Sequence, residues 1–136
     1  MPMTDTAPFP QIVRTKTAVC TAAATNADSN PANTVLLCTA GENGAVLTKL
    51  TAIQRGTNTA TNLVVFLQKS GSATKELIDS IVMAATTIST SASARPTSFG
   101  YAEANTLRLE AGDKLFVGAM VALAAGIVFK AEFTDY

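Results

Sequence analysis

Between residues 115 and 133 the apolar positions are mirror-symmetric about Ala124-Ala125-Gly126. Folding the chain there sets Leu123 against Ile127, Val121 against Phe129, Ala119 against Ala131 and Val117 against Phe133. Side chains in a strand alternate between faces, so four in-register apolar pairs around a three-residue loop ending in Gly predict a β-hairpin.

The same alternation, punctuated by turns, runs through the rest of the chain. Residues 12–21 mix Val, Thr and Lys and predict a first strand. Residues 34–40 predict a second, separated from it by a polar loop. Gly41-Glu42-Asn43-Gly44 is a turn signal, because Asn-Gly supplies the positive φ angles of a tight reversal. Residues 46–54 follow as a third strand with Lys49 exposed. After the turn cluster at 56–62, Leu63-Val64-Val65-Phe66-Leu67 is apolar on both faces, as expected of a central strand covered on two sides. Residues 74–85 admit either a strand with a bulge or a short helix, since Leu77, Ile78, Ile81, Val82 and Ala85 also share a helical face. A Ser/Thr/Ala-rich loop at 89–98 and an irregular stretch at 99–104 lead to Leu107-Arg108-Leu109, a short alternating strand. Glu110-Ala111-Gly112-Asp113 then turns it into the closing hairpin.

Seven or eight short strands separated by regular turns give the expected fold: all-β, an antiparallel two-sheet β-sandwich of jelly-roll type. The expected organisation is one sandwich domain over residues 12–136, preceded by an extended arm over residues 1–11. Pro2, Pro8 and Pro10 make the arm extended, and it is a segment that could lie across a neighbour.

Length and charge narrow the function. A chain of 136 residues is one ordinary domain, large enough for a single core. Ten basic residues balance ten acidic ones, so no basic stripe offers a phosphate footprint and nucleic acid is not an expected partner. A membrane is not expected either: the uncharged run at 115–129 is shorter than the ~20 residues of a helical span. The first eleven residues lack the apolar core of a secretory leader, so synthesis in a cytoplasm is expected.

Candidate chemistry is sparse. The chain has no histidine, which removes the commonest general base, the commonest metal ligand and every Ser/His or Cys/His nucleophile arrangement. Glu76 with Asp79, Glu110 with Asp113, and Glu132 with Asp135 are each three apart, a spacing that puts two side chains on opposite faces of a strand. Only Glu110 and Asp113 flank a turn, where a hydrogen-bonded loop and a solvated charge are expected. Asp28 and Asp113 lack the clustered carboxylates of a calcium loop, and Gly41 to Gly44 lacks the Lys-Ser/Thr ending of a phosphate loop. No enzyme activity, metal or cofactor is therefore expected. Cys20 and Cys38 are too few for a zinc site. A hairpin centred on Ser29 would set them opposite each other, leaving two readings: a disulfide, or a pair of buried thiols. Among the aromatics, Phe9, Phe99 and Tyr101 sit in irregular segments and, with Pro10, are the candidate partner contacts.

Read in order, Gly41 to Gly44, Leu47-Thr48-Lys49-Leu50-Thr51-Ala52-Ile53, Leu63 to Leu67, Glu76-Leu77-Ile78-Asp79 and Phe99-Gly100-Tyr101 form a pattern. It continues through Leu107-Arg108-Leu109-Glu110-Ala111-Gly112-Asp113-Lys114-Leu115-Phe116-Val117-Gly118 and the closing residues 125–136. This pattern resembles small virion proteins of tailed bacteriophages, a group similar to capsid decoration (cement) proteins. The resemblance implies a jelly roll on the outer surface of the capsid, bridging subunits of the major capsid protein and associating with copies of itself as a homo-oligomer such as a trimer. A neutral, Thr-rich surface is compatible with close packing of many copies, whose modest interfaces would act together. The alternative expectation is a tail-tip, baseplate or fibre module that recognises a host glycan.

Overall fold

A computed structural model describes residues 12–28 and 30–136, so the arm at 1–11, with Phe9 and Pro10, lies outside the described residues. Among the described residues nine strands follow one another: β1 (Ile12–Cys20), β2 (Val35–Thr39), β3 (Ala45–Gln54), β4 (Thr61–Gln68), β5 (Lys75–Met83), β6 (Thr97–Ser98), β7 (Leu107–Leu109), β8 (Lys114–Ala119) and β9 (Ile127–Asp135). Among the described residues there is no helix.

The strands form two antiparallel sheets. A five-stranded sheet has the order β1-β9-β3-β6, with β7 also on β3, and a four-stranded sheet has the order β2-β8-β4-β5. Because β6 and β7 pair with successive parts of β3, they act as one interrupted strand. Successive strands cross from sheet to sheet except at the β4–β5 hairpin, which is the double Greek-key arrangement of a jelly roll. The all-β sandwich expected from the alternation is present.

The closing hairpin is not. β8 pairs with β2 and β4 in one sheet, whereas β9 pairs with β1 and β3 in the other. Residues 115–133 do turn near Gly126, whose N–H donates to the Leu123 carbonyl at 2.9 Å. The turn carries the chain across the sandwich rather than back alongside itself. Val117, Ala119, Phe129, Ala131 and Phe133 are all buried in the core, where the two strands face each other through the layer between sheets. Val121, expected opposite Phe129, is exposed instead. Likewise, β1 and β2 belong to different sheets, so the hairpin through Ser29 does not form.

The ambiguous segment resolves as a strand with a bulge. Val65 pairs with Asp79 and the next residue, Phe66, with Leu77, leaving Ile78 as the extra residue of β5. β4 lies between β8 and β5, and Leu63 to Phe66 have no accessible surface. Leu63 and Val65 face the core, while Val64 points outward beneath the β1–β2 loop. That loop is laid over the four-stranded sheet by Ala24, whose N–H donates to the Ala119 carbonyl at 2.8 Å. At its far side Asn30 takes both main-chain groups of Lys75. Gly118 makes the approach possible: a Cβ there would lie 3.3 Å from Thr34 and 3.4 Å from Ala24. A loop that is polar in composition thus covers a second, outer apolar layer.

Candidate functional site

The carboxylates that flank turns are structural. Asp113 is 1 % exposed and ties two turns together. Its carboxylate accepts from the Ser70 N–H at 3.1 Å, the Glu110 N–H at 2.9 Å and Lys69 Nζ at 2.8 Å. Burial alone would push this carboxyl up. The Lys69 ammonium and the two amides outweigh burial and hold it below the usual carboxylate range. The solvated charge expected at this turn is Glu110, which pairs loosely with Lys69 at 3.3 Å, and not Asp113. Asp135 is also buried, accepting from Arg14 Nε at 2.6 Å and the Gly41 N–H at 3.2 Å. Asp79 accepts from the Tyr101 hydroxyl at 2.9 Å. Of the three acidic pairs, Glu110 and Asp113 meet at the Lys69 ammonium, a scaffold contact, and the described residues contain no group of three His, Cys, Asp or Glu able to hold a metal ion.

Cys20 and Cys38 are free and buried. Cys20 sits at the end of β1, directed at the Val117 carbonyl 3.4 Å away, and Cys38 is in β2. Burial pushes both thiols up to about 12, with Asp135 adding to the effect at Cys38. Both are protonated at neutral pH and unreactive as nucleophiles.

The two irregular aromatics close one side of the sandwich. Phe99 donates its N–H to the Leu50 carbonyl at 3.0 Å, and its ring meets Phe129 with centroids 6.3 Å apart. Tyr101 reaches from the segment after β6 to Asp79 on β5, bridging the two sheets at that side. Both are half-buried against the core. Their exposed remainder is small beside the edge strands.

At the other side the sandwich gapes. β1 and β2 are the edge strands of the two sheets, and between them opens a cleft of about 510 Å³ lined by Arg14, Lys16, Leu36, Cys38, Phe133 and Asp135. The first six residues of β1 are exposed on both faces although fully paired with β9; Val13 is 81 % exposed. Sequence explains this. Arg14 and Lys16 share the parity of Ala18 and Cys20, so the face that would enter the core carries two cations and cannot close over β2. Edge strands present unpaired N–H and C=O groups, and a long one with apolar side chains is a template for another chain. Inward-pointing cations beside an apolar run were a readable signal for such an edge, which the loose alternation of residues 12–21 obscured. On the outer face of the five-stranded sheet, Thr15, Thr17, Lys49, Thr51, Lys130 and Glu132 form an ion-paired, Thr-rich surface, with Glu132 3.5 Å from Lys130 and 3.9 Å from Lys49.

No family model matches the chain, and no curated protein matches it. Among solved structures, Eiger TNF from S. frugiperda aligns over 94 % of this chain and 96 % of its own, at 11 % identity and a TM-score of 0.49. The jelly-roll assignment rests on the strand order above.

Proposed function

We propose that this chain is a non-enzymatic structural protein of a tailed-phage virion, docking on the outer surface of the assembled capsid and bridging neighbouring subunits of the major capsid protein. The observation that carries the reading is the gaping β1–β2 edge: a nine-residue strand, exposed on both faces along most of its length, beside a cleft where Arg14, Lys16 and Asp135 meet Leu36 and Phe133. A surface of that kind suits strand addition and lateral packing more than it suits catalysis. The buried carboxylates support the same reading, because Asp113 and Asp135 are committed to amides and cations of the scaffold. The sequence resemblance to decoration proteins supplies the virion context, and the ion-paired Thr-rich face is suited to an environment crowded with copies.

The test is co-sedimentation of the purified full chain with undecorated capsids of the phage that encodes it, followed by electron microscopy of the decorated particle. Saturable binding with density on the outer shell is expected. Absence of binding overturns the reading, and density confined to the tail, together with glycan binding by the isolated chain, replaces it with host recognition.

A further inference from the structure

The Ser/Thr/Ala-rich connection between β5 and β6 takes no part in the β1–β2 edge, yet the fold fixes it in place. After β5 the chain runs beside the loop that follows β3, where the buried Asn58 holds it. Asn58 Nδ2 donates to the Ala84 carbonyl at 3.2 Å, and Oδ1 accepts from the Thr86 N–H at 3.1 Å. The main chains of Asn58 and Thr86 also exchange bonds of 3.1 and 3.3 Å. Behind Asn58 the buried Gln54 donates to the same Oδ1 at 3.2 Å, and the Thr57 hydroxyl accepts from the Ile88 N–H at 3.0 Å. A buried amide with so many partners rigidifies the segment it touches. The chain then reverses between Ser89 and Ala92, which exchange main-chain bonds of 2.9 and 3.3 Å. Pro96 keeps the backbone of Arg95 extended on the way into β6.

Between these two anchored stretches lies a concavity of about 490 Å³, on the scale of small-ligand sites. The Thr86 hydroxyl turns back to the Ala84 carbonyl at 3.4 Å. The other polar groups of the lining are uncommitted: the Thr87 and Ser93 hydroxyls and the Arg95 guanidinium are exposed, with no hydrogen bond or ion pair among the described residues. Methyl groups of Ala84, Ala85 and Ala92 supply the apolar part. Arg95 is the one charged residue of the lining, and its planar fork matches a carboxylate. A single cation suits a singly charged group and would leave a phosphate dianion half neutralised. Hydroxyls beside the cation suit a hydroxylated ligand, whose C–H face can rest on the methyl groups. No aromatic ring lines the concavity, so a neutral sugar finds neither a stacking surface nor a charge to orient it.

We infer that this concavity binds an acidic sugar, a uronic acid unit whose carboxylate is held by the Arg95 fork and whose hydroxyls are met by Thr87 and Ser93. β5 and β6 end their sheets on the side opposite β2 and β1, so the site faces away from the β1–β2 cleft. This goes beyond the decoration reading and holds whether or not the chain binds a capsid.

The experiment is a titration of the isotope-labelled full chain with galacturonate, trigalacturonate, galactose and inorganic phosphate, read by amide chemical shifts. Galacturonate is expected to perturb residues 84–95 with a dissociation constant of about 1 mM, and galactose and phosphate to bind at least about tenfold more weakly. Arg95→Ala is expected to weaken galacturonate about tenfold or more, and Arg95→Lys, which keeps the charge without the fork, by less. Arg95 is exposed and unpaired, so both variants should fold, and unchanged circular dichroism and melting temperature confirm it. Trigalacturonate binding about tenfold more tightly than galacturonate would identify a polysaccharide as the source of the sugar, and equal binding the free acid. No galacturonate shifts at residues 84–95, phosphate or galactose binding as tightly as galacturonate, or a folded Arg95→Ala with parental affinity would each overturn the inference. Loss of capsid binding by the parent bears on decoration alone.

Discussion

Asp113 is the most consequential polar side chain in the fold, and its replacement by Asn separates the electrostatic part of its role from its shape. The carboxylate accepts two backbone amides, from Ser70 after β4 and from Glu110 after β7, and so fastens the β4–β5 turn to the β7–β8 turn. Asn at this site offers one carbonyl oxygen in place of two, and its NH2 group faces the second amide and the Lys69 ammonium. One charge-assisted bond is lost outright and the other becomes neutral, each worth about 1–2 kcal/mol here. The Lys69 side chain is 47 % exposed and rehydrates, so its ion pair adds nothing to this reckoning. The sum is a loss of about 2–4 kcal/mol at pH 7, read as a drop in urea or thermal midpoint with unchanged m-value. The pH dependence supplies the second check. A carboxyl held below its ordinary value stabilises the fold above that ordinary value and ceases to as pH falls through the folded value. The gap between parent and Asp113→Asn is therefore full at neutral pH and shrinks below about pH 4. A loss under ~1 kcal/mol at pH 7, or a gap of constant size down to pH 2, would refute this account.

Three further outcomes are expected. Gly44→Ala should cost at least about 2 kcal/mol in chemical denaturation, because φ is +88° there and an added Cβ would lie 2.6 Å from the Leu109 carbonyl oxygen, a backbone atom that cannot swing aside. Phe129→Ala should cost about 3–5 kcal/mol, since the ring is fully buried in the core beneath β9 and supports Phe99. The buried thiols, raised from 9.0 to about 12, stabilise the fold fully below pH 9, and that contribution drains away as pH climbs toward 12. At pH 10 the loss is about 1 kcal/mol per thiol, and a Cys20→Ala/Cys38→Ala variant should lack this alkaline decline when melting is followed against pH.

What the sequence disclosed and what it hid share one cause. Alternation in a strand reports which residues face the core, and that part was readable: Val117, Ala119, Phe129, Ala131 and Phe133 are all interior. It does not report whether the strand bearing matching residues lies alongside, bonded through the backbone, or opposite, touching only through side chains. Both arrangements bring the same apolar faces together, so the mirror symmetry of residues 115–133 was equally compatible with a hairpin and with two strands facing across the sandwich. The backbone decides between them. β9 can pair along its whole length with both β1 and β3, whereas alongside β8 it would leave those strands without a partner. The same logic explains the open edge. Arg14 and Lys16 occupy interior parity on a strand whose pairing with β9 is fixed by nine residues of register. The strand cannot rotate its cations outward without surrendering Ala18 and Cys20, and it cannot bury them against β2 without desolvation. An edge held in that compromise keeps its outer backbone groups and the side chains of Ile12 and Val13 presented to solvent.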